Sequence, residues 1–318
     1  MIHWPNHDEP WRQWRDAISS ERMHHGWLLA GKAGLGKHDF AMAAARELVA
    51  EPGVSQPHGD HPDIIVLTYG PKDEKGEKAQ AEGKPFDLAR SIRIKQIRAM
   101  QKRLITRPTL GTRRAIIIDP ADDLEKAAAN ALLKSLEEPP VGTFFLLVTH
   151  RPARLLPTIR SRCRTLRFPV LSDSQLSLML EEQGMPPDAG AIAASEGSFG
   201  AALRYAAQDL APVARAVTAL FSGEENGIAR RGELARLIGG RADRERVQAV
   251  LDLAQALVAR AARECGDERR CARLIDAHAA LVALAAQAPT ANFDPGMLPY
   301  EIGSLLVAAA PASEPAHG

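Results

Sequence analysis

The chain has 318 residues, 45% of them hydrophobic and 25% charged, a balance that fits a water-soluble globular protein of two or three domains. Its formal charge of +1 excludes a uniformly basic surface, so any nucleic-acid contact must come from a local patch. Cys163, Cys265 and Cys271 are too few and too scattered for a disulfide framework, and Cys265 and Cys271 lack the spacing of a zinc knuckle.

The first thirty residues carry Trp4, Trp11, Trp14 and scattered charges in place of an apolar stretch with a cleavage site. No export signal and a cytoplasmic location are expected. Trp11, Trp14 and Ile18 fall on one helical face, which predicts an opening amphipathic helix. Trp27 to Ala30 reads as a short buried strand, and Asp39 to Val49 as a helix. Between them, Gly31-Lys32-Ala33-Gly34-Leu35-Gly36-Lys37-His38 has the spacing of a phosphate-binding P-loop up to its last position. Gly31, Gly34 and Gly36 would let backbone N–H groups converge on a phosphate, with Lys37 reaching the terminal phosphates. His38 stands where a Ser or Thr hydroxyl would hold magnesium, and an imidazole is a poor ligand for that hard ion. Two readings stand at this point: a site that binds ATP or ADP without hydrolysing it, and a glycine-rich turn with no ligand.

A loop from Glu51 to Pro62 leads to Asp63–Leu67, read as a second buried strand. Gly70 to Pro85 is rich in Lys and Glu, has no apolar period, and is expected to be a mobile surface excursion. Ser91 to Arg107 reads as a helix with Ile94, Ile97 and Leu104 on one side and Lys95, Arg98 and Lys102 on another. That basic stripe suits a nucleic-acid backbone, and it equally suits a solvated helix face. Ala115 to Asp119 is a third strand ending in an acid, followed by Pro120 where a hydrolase of this type places a Glu to polarise water.

Asp122 to Glu138 is expected to be helical, with Leu124, Ala128, Leu132 and Leu136 on one face. Phe144 to Thr149 and Arg164 to Phe168 complete five strands. Continuous apolar strands alternating with helices predict a parallel sheet covered on both faces. Ser172–Gln183, Ala189–Ser195 and Ser198–Ala207 read as a small three-helix domain, and Leu210 to Ala310 as a bundle of four or five helices. Pro311 to Gly318 is expected to lack order.

One combination is more specific than the rest. Ala127-Ala128-Ala129-Asn130-Ala131-Leu132-Leu133-Lys134-Ser135-Leu136-Glu137-Glu138-Pro139-Pro140, then Phe145 to Thr149, then Ser161-Arg162-Cys163, closely resembles clamp-loader subunits of the AAA+ family. His61-Pro62-Asp63 and the domain order agree with this. The resemblance covers roughly the first 205 residues by motif and the rest by architecture. It implies an α/β AAA+ nucleotide-fold domain with a five-stranded parallel sheet (1–169), a small helical lid (170–209) and an all-α oligomerisation collar (210–318).

By the same resemblance, Arg162, flanked by Ser161 and Cys163, matches an arginine finger that enters a neighbouring subunit's nucleotide site. Such fingers are worth on the order of 10³ to 10⁵ in rate. The plainer alternative is an Arg that pairs with a carboxylate at a strand edge. Cys163 reads as a small buried hydrophobe. Gly31, Gly34, Gly36, Lys37, Asp119 and Thr149 form the degenerate nucleotide site, with Thr149 at the sensor position. The lid's Gly-Ser-x-Arg motif has Gly200 at its last position, and with His38 and Pro120 this makes hydrolysis in cis an unexpected activity. Glu51 to Asp60 lacks the cysteines that many relatives use for zinc, so no zinc is expected, and His58 and His61 read as loop residues. The implied assembly is a pentameric clamp loader with ATPase neighbours, which opens a sliding clamp and closes it on primed DNA. An active motor ATPase and a purely structural ring subunit stand as the alternatives.

Overall fold

The computed structural model describes residues 2–20, 23–221, 227–239, 244–287 and 297–310. They fall into two compact units, residues 1–170 and 171–318. The expectation for Pro311 to Gly318 lies outside the described residues.

The first unit runs α1 (Asp8–Ser19), β1 (Gly26–Ala30), α2 (Lys37–Val49), β2 (Ile64–Leu67), α3 (Glu74–Ala81), α4 (Ile94–Arg103), β3 (Arg114–Ile118), α5 (Lys126–Glu137), β4 (Thr143–Thr149), α6 (Pro157–Arg160) and β5 (Arg164–Arg167). Its sheet has the order β2-β3-β4-β1-β5, and every pair is parallel. Side chains alternate between the two faces along each strand. Trp27, Leu29, Ala115, Ile117, Leu146 and Val148 join Trp14 of α1 and Phe40, Ala44 and Leu48 of α2 in one core. Leu28, Ile116, Ile118, Phe145 and Leu147 join Ile97 and Met100 of α4 and Ala128, Leu132 and Leu136 of α5 in the other. Both faces are covered over β1, β3 and β4, which is why those strands read as apolar runs, whereas β5 at the edge exposes Arg164, Thr165 and Arg167.

Several boundaries differ from the sequence expectation, each for a tertiary reason. Asp63 lies outside β2 because its carboxylate accepts the Thr109 and Leu110 amides at 2.6 and 2.8 Å, next to the buried Arg114. The helix expected from Asp122 begins at Lys126. Ile92 N donates to Asp123 O and Glu125 N donates to Ile92 O, so Leu124 and Glu125 are held extended in a backbone bridge. The same bridge delays α4 to Ile94. Gly70 to Pro85 is not an unstructured excursion: it contains α3, capped by Asp73, whose carboxylate accepts the Gly76 amide at 2.8 Å. Lys72 N to Asp87 O and Ala89 N to Gly70 O tie its two ends together. Gly76 is the only residue that α3 buries, so no apolar period marked it.

The second unit contains α7 (Asp173–Glu182), α8 (Ala189–Ser195), α9 (Phe199–Ala207), α10 (Ala211–Phe221), α11 (Gly227–Ile238), α12 (Arg244–Glu264), α13 (Glu268–Gln287) and α14 (Met297–Ala308). Ser172, Asp188 and Ser198 cap the first three by accepting backbone amides. Ala191 and Tyr205 share one core with Val213 and Val217 of α10, Val250, Ala254 and Val258 of α12, Leu274 and Leu281 of α13, and Ile302 and Leu306 of α14. The i, i+4 and i, i+7 spacing within α12 and α13 presents these residues as one apolar stripe per helix. Among the described residues, no helix is long and apolar enough to cross a membrane.

Candidate functional site

Parallel strands place their carboxyl ends together, and there the loop after β1 meets the ends of β3 and β4. Ala30 lies opposite Thr149, and the Gly31 amide donates to Thr149 O at 3.3 Å. Gly34 and Gly36 adopt positive φ of 75° and 71°, the left-handed conformation that glycine accepts without strain. Gly31 has no room for a side chain, since a Cβ would lie 2.6 Å from Phe168 O. The loop therefore has the backbone shape that its glycines predict.

Its charged groups are turned onto one another. The Lys37 ammonium, buried to 3% exposure, donates to the Lys32 carbonyl of its own loop. Burial lowers its pKa to about 8, against the opposing pull of Asp119 and Asp122. His38 Nδ1 lies 2.7 Å from Asp119 Oδ2, and that hydrogen bond raises the imidazole pKa. The residue in the magnesium-ligand position is thus bonded to the acid that would hold the ion from the other side. An imidazole hydrogen-bonded to the Asp119 carboxylate offers no oxygen cage, so His38 and Asp119 as arranged do not fit a magnesium ion. Trp4 packs its ring over Gly36, where a Cβ would come within 2.3 Å of it, and donates from Nε1 to Asp39 at 3.2 Å. His7 stacks on Trp4 and bonds to Leu35 O at 2.8 Å.

Thr149 and His150 complete this edge. The Thr149 hydroxyl is buried without a hydrogen-bond partner among the described residues, as is His150 Nδ1. The His150 amide donates to Asp122 at 2.9 Å, and burial lowers the imidazole pKa. Asp123 accepts from the Tyr69 hydroxyl at 2.6 Å and faces Arg151 and Arg154. A cavity of about 770 Å³ opens beside the loop, lined by Gly31, Lys32, His150, Arg167 and Phe168 among others.

Arg162 lies at the other end of the same strands. It precedes β5, whose first residue pairs with Trp27 near the start of β1, and its carbonyl would lie 2.8 Å from a Cβ on Gly26. The five residues of β1 span ~16 Å at about 3.3 Å each, so Arg162 is a strand's length from the P-loop. Its guanidinium donates to Thr158 O at 2.9 Å and Ser161 Oγ at 3.4 Å, and pairs with Glu137 at 2.8 Å. Arg162 and Glu137 are 36% and 48% exposed. Ser161 is exposed, while Cys163 packs against the core and burial pushes its thiol pKa up to about 12, as a small hydrophobe would behave.

The remaining predicted residues are scattered. Lys95, Arg98 and Lys102 are exposed on α4, but Lys95 is held by Glu77 of α3 at 2.7 Å. His61 Nδ1 accepts the Asp63 amide at 3.0 Å, so its Nε2–H donates to Gln56 at 2.6 Å, while His58 is exposed. Among the described residues, no group of three or more His, Cys, Asp or Glu side chains is placed to hold a metal ion. Gly200 lies in the first turn of α9, and Ser198 is occupied as its cap. Sequence reasoning missed Trp4, His7, His150 and Glu137. Trp4 and His7 carry no motif, whereas His150 directly follows β4 and Glu137 stands in the quoted Leu-Glu-Glu-Pro-Pro run.

A family model described as "DNA polymerase III, delta subunit" matches residues 6–172. The chain is 34% identical over 168 residues to the DNA polymerase III subunit delta' of Pseudomonas aeruginosa, covering 48% of this chain and 46% of that one. It is 33% identical over 183 residues to the subunit delta' of Bacillus subtilis, covering 54% and 50%. These matches span about half the length of the relatives. The solved structure of a DNA polymerase III gamma subunit-related protein from Thermotoga maritima superposes with a TM-score of 0.50 at 17% identity, covering 94% of this chain and 99% of that one. That likeness concerns the fold alone. The chain belongs to the DNA polymerase III delta-subunit family and is delta-prime-like, with a parallel five-stranded α/β fold in the matched region.

Proposed function

We propose that this chain is a non-hydrolysing subunit of a hetero-pentameric clamp loader, which supplies Arg162 in trans to a neighbouring ATPase subunit. Its partners in this reading are gamma/tau-type motor subunits and a delta-type subunit. The assembly acts on a sliding clamp and primer-template DNA in the cytoplasm, as part of a polymerase holoenzyme whose nucleotidyl transfer resides elsewhere. The observation that carries the reading is the 2.7 Å bond between His38 and Asp119, which joins the two positions that a hydrolysing site keeps for magnesium. Pro120 adds no group to orient water, and Gly200 adds no charge. The location of Arg162 a strand's length away supports action on a neighbour.

The nucleotide-site residues Gly31, Gly34, Gly36 and Lys37 lie on the loop and at the start of α2, with Asp119 and Thr149 at the ends of β3 and β4, and we assign this site no required cofactor, magnesium or zinc. Lys95, Arg98 and Lys102 are proposed as backbone contacts to duplex DNA. The test is reconstitution of the assembly with Arg162→Ala. A large loss of DNA-stimulated ATP turnover, with the isolated wild-type chain showing none, supports the reading; undiminished turnover refutes the finger. One observation favours a second reading, a purely structural ring subunit: Arg162 is already paired with Glu137 of its own chain. The same experiment decides between the two.

A further inference from the structure

Glu137 belongs to the Leu-Glu-Glu-Pro-Pro run at the end of α5, yet it takes no part in the sheet's core or in the helix cap. Its carboxylate is half exposed and lies 2.8 Å from Arg162. The Thr158 carbonyl and the Ser161 hydroxyl face the other terminal nitrogen of the guanidinium. A guanidinium has five N–H donors, and charge-assisted bonds to carboxylate or phosphate are its strongest. A neighbour's phosphate and the Glu137 carboxylate are the same class of acceptor, so they compete for one planar fork.

We propose that Glu137 is a positioning residue that parks Arg162 against its own chain, and that a neighbour's nucleotide must displace this carboxylate to recruit the finger. The proposal rests on the finger reading given above. α5 and α6 hold the pair from both sides. Leu136, next to Glu137, and Ile159, at the centre of α6, are both buried in the same core, which fixes the two backbones relative to one another. The carboxylate and the guanidinium can then exchange partners without any movement of the fold. Because the pair is exposed, its strength is that of a surface ion pair, which corresponds to a bias of about two- to fivefold against finger recruitment.

The test uses the reconstituted assembly with full-length chain carrying Glu137→Gln, which keeps the side chain's size and removes its charge. The expected result is a KM for ATP about two- to fivefold lower with kcat unchanged, a difference that shrinks as salt rises, and no effect of Glu137→Gln in an Arg162→Ala background. An unchanged KM, an equal shift in both backgrounds, or a loss of turnover resembling Arg162→Ala would each overturn the proposal. Arg162→Ala alone separates the two ideas: if it is inert, the finger reading fails, and if it impairs turnover while Glu137→Gln is silent, only the parking role fails.

Discussion

The two ends of the sheet carry charged groups in opposite conditions. At the carboxyl end Lys37, 3% exposed, is bonded to its own loop, while His38, half exposed, is bonded to the less exposed Asp119. At the amino end Arg162 has an ion pair too, but an open one, 36% exposed and matched by a half-exposed Glu137. A buried charge needs a permanent partner because water cannot replace it, whereas an exposed charge exchanges partners at little cost. The end closed at Lys37 fits the proposed non-hydrolysing site, and the open pair at the other end fits the proposed contact with a neighbour.

The sharpest way to break this contrast is to exchange the ends' importance by mutation. Arg162→Ala is expected to slow turnover at the site that receives it by on the order of 10³ or more. Lys37→Ala in the same assembly is expected to stay within about twofold, since a group bonded to its own loop contributes nothing to a transition state. Steady-state ATPase assays of the two variants side by side measure both, and similar losses would dissolve the distinction.

The amino end also contains a buried pair, which sharpens the comparison by holding location constant. Asp63 and Arg114 are 1% and 5% exposed and 3.8 Å apart, and Asp63 also anchors the Thr109 and Leu110 amides. Asp63→Ala is expected to cost about 3 to 5 kcal/mol in urea unfolding, because it leaves the Thr109 and Leu110 amides without their acceptor and removes the counter-charge of a buried guanidinium, which keeps only its bonds to the Arg103, Thr106 and Arg107 carbonyls. Glu137→Ala should cost less than about 1 kcal/mol, although its ion pair is shorter.

A smaller effect is expected from the α4 stripe. Replacing Lys95, Arg98 and Lys102 with Ala should reduce the log–log salt slope of DNA binding by the assembly by about 2 to 3, at about 0.9 per phosphate contact. Since Lys95 is held by Glu77, restoring Lys95 alone should recover the least of that slope. An unchanged slope in the triple variant would remove the stripe from the interface.

The smallest expected effect tests the closed end. His38 has its pKa raised by Asp119, so its bond contributes stability fully below the unfolded value of about 6.5, lost as pH rises through the folded value. The difference between wild type and His38→Asn should therefore be largest at acid pH and fade on the alkaline side. It should stay below about 1 kcal/mol, because the imidazole is half exposed. A stability difference independent of pH would mean that the ion pair does not close the site.

Much of the fold was legible in the sequence because parallel strands covered on both faces must be apolar throughout. Trp27–Ala30, Ala115–Ile118 and Phe144–Thr149 could hardly be read otherwise. The helix starts were less legible. Leu124 continues an apolar helical period, yet the bridge to Ile92 holds it extended, and no local pattern reports a partner thirty residues away. At the site, the glycine positions predicted the loop's shape because positive φ is a local property. The pairing of His38 with Asp119 and of Glu137 with Arg162 joins residues distant in sequence, and spacing carries no information about such pairs.

By itself, the sequence determined that the P-loop motif ends in His38, that Pro120 follows the acid after the third strand and that Gly200 follows Gly197-Ser198-Phe199, since these are matters of residue identity. Only the tertiary structure decided what the substituted groups do instead. The sheet's parallel order brings Asp119 to His38 at one end and leaves Arg162 beside Glu137 at the other, because strand register, and not composition, fixes which charges can reach each other.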